Sequence, residues 1–187
     1  GLVAAFIFAV QMVNFPILPG VSGHLLGGAL AAILVGPFTG ALCVAVVLIV
    51  QALLFADGGI TALGLNITNM AVIGVVVGWL VARSLRRFAV RSRGGLVAVA
   101  FVAALLNTVV ASMGFVLEYA IGGAGGATLG TVFALMGGLH VLIGIGEGVI
   151  TAASVGAVAA ARPDLVYLLR GTGRPLARRS TSVEGAR

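Results

Sequence analysis

The fold class predicted by this sequence is an all-α, polytopic integral membrane helix bundle, and three observations carry it. Of 187 residues, 60% are hydrophobic and only 9% charged, with a mean hydropathy of +1.22. A soluble domain carries about a quarter of its residues charged, because its outside faces water. Between Gly1 and Ala82 the only acidic or basic side chain is Asp57, with His24 as the other titratable group. Charge in a membrane core costs roughly 2.5 to 3.5 kcal/mol per residue, which accounts for that near-absence. All eleven basic residues are arginine, and they fall in two places, five in Arg83–Arg93 and six in Arg162–Arg187. Such clusters mark the cytoplasmic side of a membrane protein, so the net charge of +6 reports orientation. No basic folded face for a nucleic acid is present.

The apolar runs are punctuated by Pro, Gly and Asn and number six. The first covers about Leu2–Leu18, ended by Pro16 and Pro19. The second is short, about Leu25–Val35, and stops before Pro37. About Phe38–Phe55 and Asn69–Arg83 follow, then, after the basic loop, about Leu96–Ala120 and, past the linker Gly122–Gly126, about Leu129–Ala161. A span needs about 20 apolar residues, so the second run falls short. It reads as a tilted or re-entrant helix, which lipid tolerates only where protein covers its backbone or a cavity adjoins it. Residues 1–161 thus form a transmembrane domain, and 162–187, rich in Arg, Gly, Pro and Ser, read as a basic, mobile cytoplasmic tail lying on anionic lipid. Counting crossings places Gly1, the Arg83–Arg93 loop and the C-terminus on one side, with Pro19–His24 and Ala56–Thr68 together on the other. The single Cys43 supports no disulfide framework or cysteine metal site. The sequence starts at Gly1 without initiator Met or leader, so a missing N-terminal segment is expected. Glycines at small-xxx-small spacing, such as Gly23/Gly27, Gly36/Gly40 and Gly74/Gly78, read first as close helix packing and second as a docking surface.

A few polar residues need a reason. His24 sits where a helix begins near the outer face; a neutral imidazole there suits nickel, cobalt or zinc, or else bonds a neighbouring loop. His140 and Glu147 lie seven residues apart on one face of the last helix and are either a transport feature or a buried network fixing helix positions. Asp57, Asn66, Asn69, Asn107 and Glu118 could line a polar path or cap helices, and for Asp57, before Gly58 and Gly59, a turn fits better than a ligand. His140, about 11 residues into its helix and so roughly 16 Å deep, is expected to lie out of reach of His24. Gly20-Val21-Ser22-Gly23 has the form of an intramembrane serine protease motif with His140 as base, but the histidine and asparagine pair that assists rhomboid-type proteases is missing.

Several separated motifs then carry a resemblance. Gln11-Met12-Val13-Asn14-Phe15-Pro16, Ser22-Gly23-His24-Leu25-Leu26-Gly27-Gly28, Phe55 to Gly64, Asn66 to Met70 and His140 to Thr151 occur in the order in which the CbiM/NikM family has them, and the chain from about Gly1 to Ala160 resembles that family. The resemblance implies the substrate-specific component of a bacterial energy-coupling-factor importer in the plasma membrane. It would have no ATPase site or cofactor of its own and would bind Co2+ or Ni2+ as cargo on the outer side. Its partners would be a transmembrane coupling subunit, two cytoplasmic ATPases and often a further small membrane subunit. The family's metal donors are nitrogens of a free Met-His N-terminus and of a histidine that maps onto His24. No Met-His start is present here, and the chain begins where the family's second helix would, so the resemblance implies seven helices in the full protein against six in this chain. Asp57, Asn66, Asn69, His140 and Glu147 would then serve a polar path or support the ligands. The rival classes are the protease built on Ser22 and His140, and a simple channel, which would show pore-lining polar positions repeated over several helices.

Overall fold

The computed structural model describes residues 1–18, 21–123 and 126–170. Helix α1 spans Leu2–Gln11 and is shorter than the first apolar run. A single helix reaching Leu18 does not form. Beyond Met12 the chain becomes an antiparallel hairpin of β1 (Asn14–Leu18) and β2 (Val21–His24), pairing Asn14 with His24 and Pro16 with Ser22, with an irregularity between Pro16 and Leu18. Proline is the reason: Pro16 has no N–H for a helical bond and pushes its predecessor into extended backbone. A two-stranded ribbon is all edge and tolerates the missing donor.

Helix α2 (Gly28–Val35) is eight residues long, and all but Val35 are buried. The short second run is thus wrapped by protein, as its length demands in lipid. It starts at Gly27, φ +74, and stops at Gly36, φ +91, left-handed conformations that glycine adopts at little cost. Pro37 then opens α3 (Pro37–Leu54) at its first position, where a proline costs no hydrogen bond. After a loop, α4 (Leu63–Asn66), a π-helical stretch Ile67–Gly74 and α5 (Val75–Ser84) run together as one helix of 22 residues. A short α6 (Arg86–Ala89) leads to α7 (Arg93–Gly122) and then α8 (Leu129–Ala161). Ser92 and Thr128 cap these last two, accepting from the backbone N–H of Gly95 at 3.0 Å and Thr131 at 3.2 Å, so each helix has a defined start.

Among the described residues four helices are long and apolar enough to cross a membrane: Pro37–Leu54, Leu63–Ser84, Arg93–Gly122 and Leu129–Ala161. Six full-length crossings are therefore not seen, since α1 and α2 are too short by themselves. Helix α2 sits at the centre of the bundle. A Cβ built on Gly78 would lie 2.7 Å from Ala29 Cα, and one on Gly40 would lie 3.1 Å from the carbonyl carbon of Ala31. These glycines are used by helices of this chain to approach α2 closely. The outer surface keeps large apolar side chains such as Phe38, Leu54, Leu142 and Val149 exposed, as a lipid-facing surface should. The segment after α8 is not free as far as Arg170: turns at Pro163–Leu165 and Tyr167–Leu169 bury Val166 and Leu168 completely or nearly so, and Tyr167 lies over Gly36. Residues 171–187, the rest of the expected tail, lie outside the described residues.

Candidate metal site

The hairpin does more than end the first helix. By folding back against α8 it carries β2 into the bundle, where Ser22, Gly23 and His24 form one wall of a cavity of about 170 Å³. Met136 and His140 of α8, Ala111, Ser112 and Phe115 of α7, and Asn66, Asn69 and Met70 of the Leu63–Ser84 helix complete it. The π-helical stretch supplies Asn69 and Met70; such widened turns often occur where a helix must aim side chains at a site.

His24 and His140 line the same cavity, which corrects the expectation that depth separates them. The strand brings the backbone down to His140: a Cβ on Gly23 would lie 3.4 Å from His140 Cε1, and 2.7 and 2.8 Å from the Cδ1 atoms of Ile17 and Ile143. Glycine at position 23 is what permits that approach. The two imidazoles share one tautomer. Nδ1 of His24 lies 3.2 Å from the carbonyl oxygen of Leu25, and Nδ1 of His140 lies 2.8 Å from that of Met136. A carbonyl only accepts, so the neutral form of each ring carries its proton on Nδ1 and leaves Nε2 as the donor nitrogen. Burial holds the His24 imidazole below its usual value, against smaller opposing effects of the Leu25 carbonyl and the Asp57 charge. The site therefore presents two imidazoles, each oriented by a backbone carbonyl as metal-binding histidines usually are. Among the described residues no group of three or more His, Cys, Asp or Glu side chains converges on a metal position.

The remaining candidates divide. Asn69 lines the cavity, donates to Glu118 Oε2 at 2.8 Å, and has its buried Oδ1 without a hydrogen-bond partner among the described residues. Asn66 lines it too and donates to the Gly58 carbonyl at 3.2 Å, tying down a turn in which Ala56, Gly58 and Gly59 all have positive φ. Asp57 belongs to that turn and is outside the cavity lining, near enough only for its charge to act on His24. Glu147 also stays outside the lining. Its carboxylate is 2% exposed as a residue and meets four donors: the backbone N–H of Leu26 at 2.8 Å and of Gly27 at 3.0 Å, Asn107 Nδ2 at 3.0 Å and the Thr108 hydroxyl at 2.8 Å. It is an anchor for the segment just after His24, which favours the buried network over a polar path. Gln11 assists by donating to the Leu26 carbonyl at 2.7 Å. Gln11 and Thr108 were not singled out as site residues from sequence; the signal for Gln11 was an uncharged polar residue in an otherwise apolar helix. Ser22 faces the cavity and is exposed. Among the described residues it makes no hydrogen bond to His140, the contact a serine nucleophile and its base would share.

Known proteins bear on this arrangement. Residues 1–165 match the family model described as the cobalt uptake substrate-specific transmembrane region, CbiM. The chain is 49% identical over 174 residues to a putative fused nickel transport protein NikMN of Archaeoglobus fulgidus, covering 93% of this chain and 57% of that protein. It is 34% identical over 171 residues to the cobalt transport protein CbiM of Geobacter sulfurreducens, covering 89% of this chain and 48% of that one. The chain thus spans about half the length of these relatives. A crystal structure of a transition metal transporter superposes with a TM-score of 0.71 at 30% identity, covering 91% of this chain and 81% of the other. A truncated transition metal transporter gives 0.68 at 29% identity, covering 82% and 76%. With residues 1–165 of its length matched, this multi-pass membrane chain belongs to the CbiM family.

Proposed function

We propose that this chain is the metal-recognising part of an energy-coupling-factor importer, taking Ni2+ or Co2+ as cargo from the outer side. The single observation that supports this most is the cavity lined by both His24 and His140, each with Nδ1 against a backbone carbonyl so that Nε2 is the ring nitrogen available to a metal. Imidazole nitrogen suits late divalent metals, and among the described residues no carboxylate of the kind that favours harder cations lines the cavity. Two imidazoles are too few to hold such an ion against water, so the other nitrogens come from a Met-His N-terminus of the kind the family resemblance implies, with His24 as the ligand of this chain. His140 stands behind it as a second donor or hydrogen-bond partner. Asn66 and Asn69 hold the outer loop and the cavity wall, and Glu147 fixes the backbone from which His24 projects.

The movement of the ion would be driven by a coupling subunit and two ATPases on the cytoplasmic side, with a further small membrane subunit in some assemblies. The arginine clusters at 83–93 and 162–187 support that orientation for the C-terminal end of the bundle. Calorimetry tests the site. Ni2+ and Co2+ are titrated into the protein carrying its native N-terminal segment, into the 187-residue chain, and into both with His24→Ala. Tight binding confined to the longer form and lost on His24→Ala is expected. Unchanged binding by the longer form with His24→Ala would overturn the assignment.

A further inference from the structure

At the opposite end of the molecule from the hairpin, a second hollow gathers arginines that the transport reading leaves unused. It is a cavity of about 270 Å³ lined by Trp79, Arg83, Arg86, Tyr167, Leu168 and Arg170. Trp79 and Arg83 are four residues apart and so share a face at the end of α5. The packed segment after α8 supplies the other side. Arg86 joins the two, its Nε donating to the Leu168 carbonyl at 2.8 Å and an amino group donating to the Arg170 carbonyl. This fixes the guanidinium and, among the described residues, leaves three of its five N–H bonds unused. Arg83 has no hydrogen bond or ion pair among the described residues. The Arg170 guanidinium lies over the Tyr167 ring at 5.2 Å, and the Tyr167 and Trp79 rings pack with centroids 5.6 Å apart.

Among the described residues no acidic side chain lines this hollow. The acid nearest in the chain, Asp164, is already held by Arg162 in a two-point pair with contacts of 2.9 and 2.7 Å. Three guanidinium groups thus converge with no counter-charge among the described residues, one of them held rigid by backbone carbonyls. Guanidinium forks match phosphate oxygens in geometry as well as in charge. The aromatic pair sets the depth, since Trp and Tyr settle at headgroup level in a bilayer. Arg87 and Arg91, by contrast, stack on Phe88 and are outside the hollow.

We propose that this cavity is a binding site for the phosphate of an anionic phospholipid, held between Arg83, Arg86 and Arg170 with its glycerol end against Trp79 and Tyr167. The lipid would bridge α5 to the segment after α8, which also caps Gly36 at the end of α2. The test is native mass spectrometry of the full chain in detergent, titrated with phosphatidylglycerol, with phosphatidylcholine, and with phosphatidylglycerol in the presence of millimolar inorganic phosphate. Retention of phosphatidylglycerol over phosphatidylcholine is expected, with roughly fivefold weaker binding in Arg83→Gln and no comparable loss in Arg87→Gln. Arg83 is the variant of choice because it holds no backbone group, and an unchanged melting temperature in lipid-free detergent shows that it folds. Equal loss in Arg87→Gln would reduce the effect to diffuse surface charge and overturn the site. Displacement of the lipid by inorganic phosphate alone would assign the site to a soluble anion and overturn the lipid.

Discussion

Replacing Glu147 with Gln tests the idea that one buried side chain positions the strand that carries His24. The carboxylate offers only acceptors, and four donors use them: the backbone N–H of Leu26 and the Thr108 hydroxyl on Oε2, and the Gly27 N–H and Asn107 Nδ2 on Oε1. A glutamine of the same shape has one oxygen. With its amide nitrogen in the Oε2 position, it can donate to Thr108, whose own proton turns to the Ala104 carbonyl at 3.0 Å, but the Leu26 N–H then faces another donor. In the reverse orientation the Gly27 N–H loses its acceptor. Either way one buried backbone donor is orphaned, at a cost of about 1–3 kcal/mol. For a chain of this size each kcal/mol moves the melting temperature by about 2–4 °C, so a fall of roughly 2–12 °C is expected. The single Cys43 supplies the readout, through a maleimide dye that becomes fluorescent as the protein unfolds in detergent. Glu147→Ala, which abandons all four donors, should fall further, and both variants should bind Ni2+ more weakly because the orphaned group lies two or three residues from His24. A Glu147→Gln protein as stable as wild type would refute the reasoning.

Three further outcomes are expected. Gly78→Ala places a methyl 2.7 Å from Ala29 Cα; backbone cannot yield cheaply there, so about 1–3 kcal/mol is lost, read in the same melting assay. Ser22→Ala should change stability by less than about 0.5 kcal/mol and leave metal binding intact, since the serine is exposed; a lost peptidase activity in purified protein would instead revive the enzyme. A cysteine placed at Arg87, in a variant whose Cys43 is replaced by serine, should stay unlabelled by an impermeant maleimide in intact cells, and rapid labelling would reverse the assigned orientation.

Much of this was legible in the sequence because the physics is one-dimensional. Mean hydropathy and two arginine clusters specify a bilayer protein and its expected orientation without any knowledge of contacts, and four of the six apolar runs, those from Phe38 onward, correspond to the four long helices, whereas the run Leu2–Leu18 does not form one. The shortness of Leu25–Val35 already called for protein cover or an adjoining cavity, and α2 is buried on nearly every side. His24 was likewise visible, as an imidazole in a chain almost empty of titratable groups. What tertiary structure alone decided was which polar groups meet. Measured along its helix, His140 lies roughly 16 Å deep, and that distance is real. The hairpin after Gln11 cancels it by bringing β2 down to His140 through the gap left by Gly23. Glu147 is bound 120 residues away in sequence to Gly27, and Arg83 shares a hollow with Arg170. Hydropathy and periodicity report how each segment meets lipid; a hydrogen bond or a shared cavity depends on the relative placement of segments, which arises only when the helices pack.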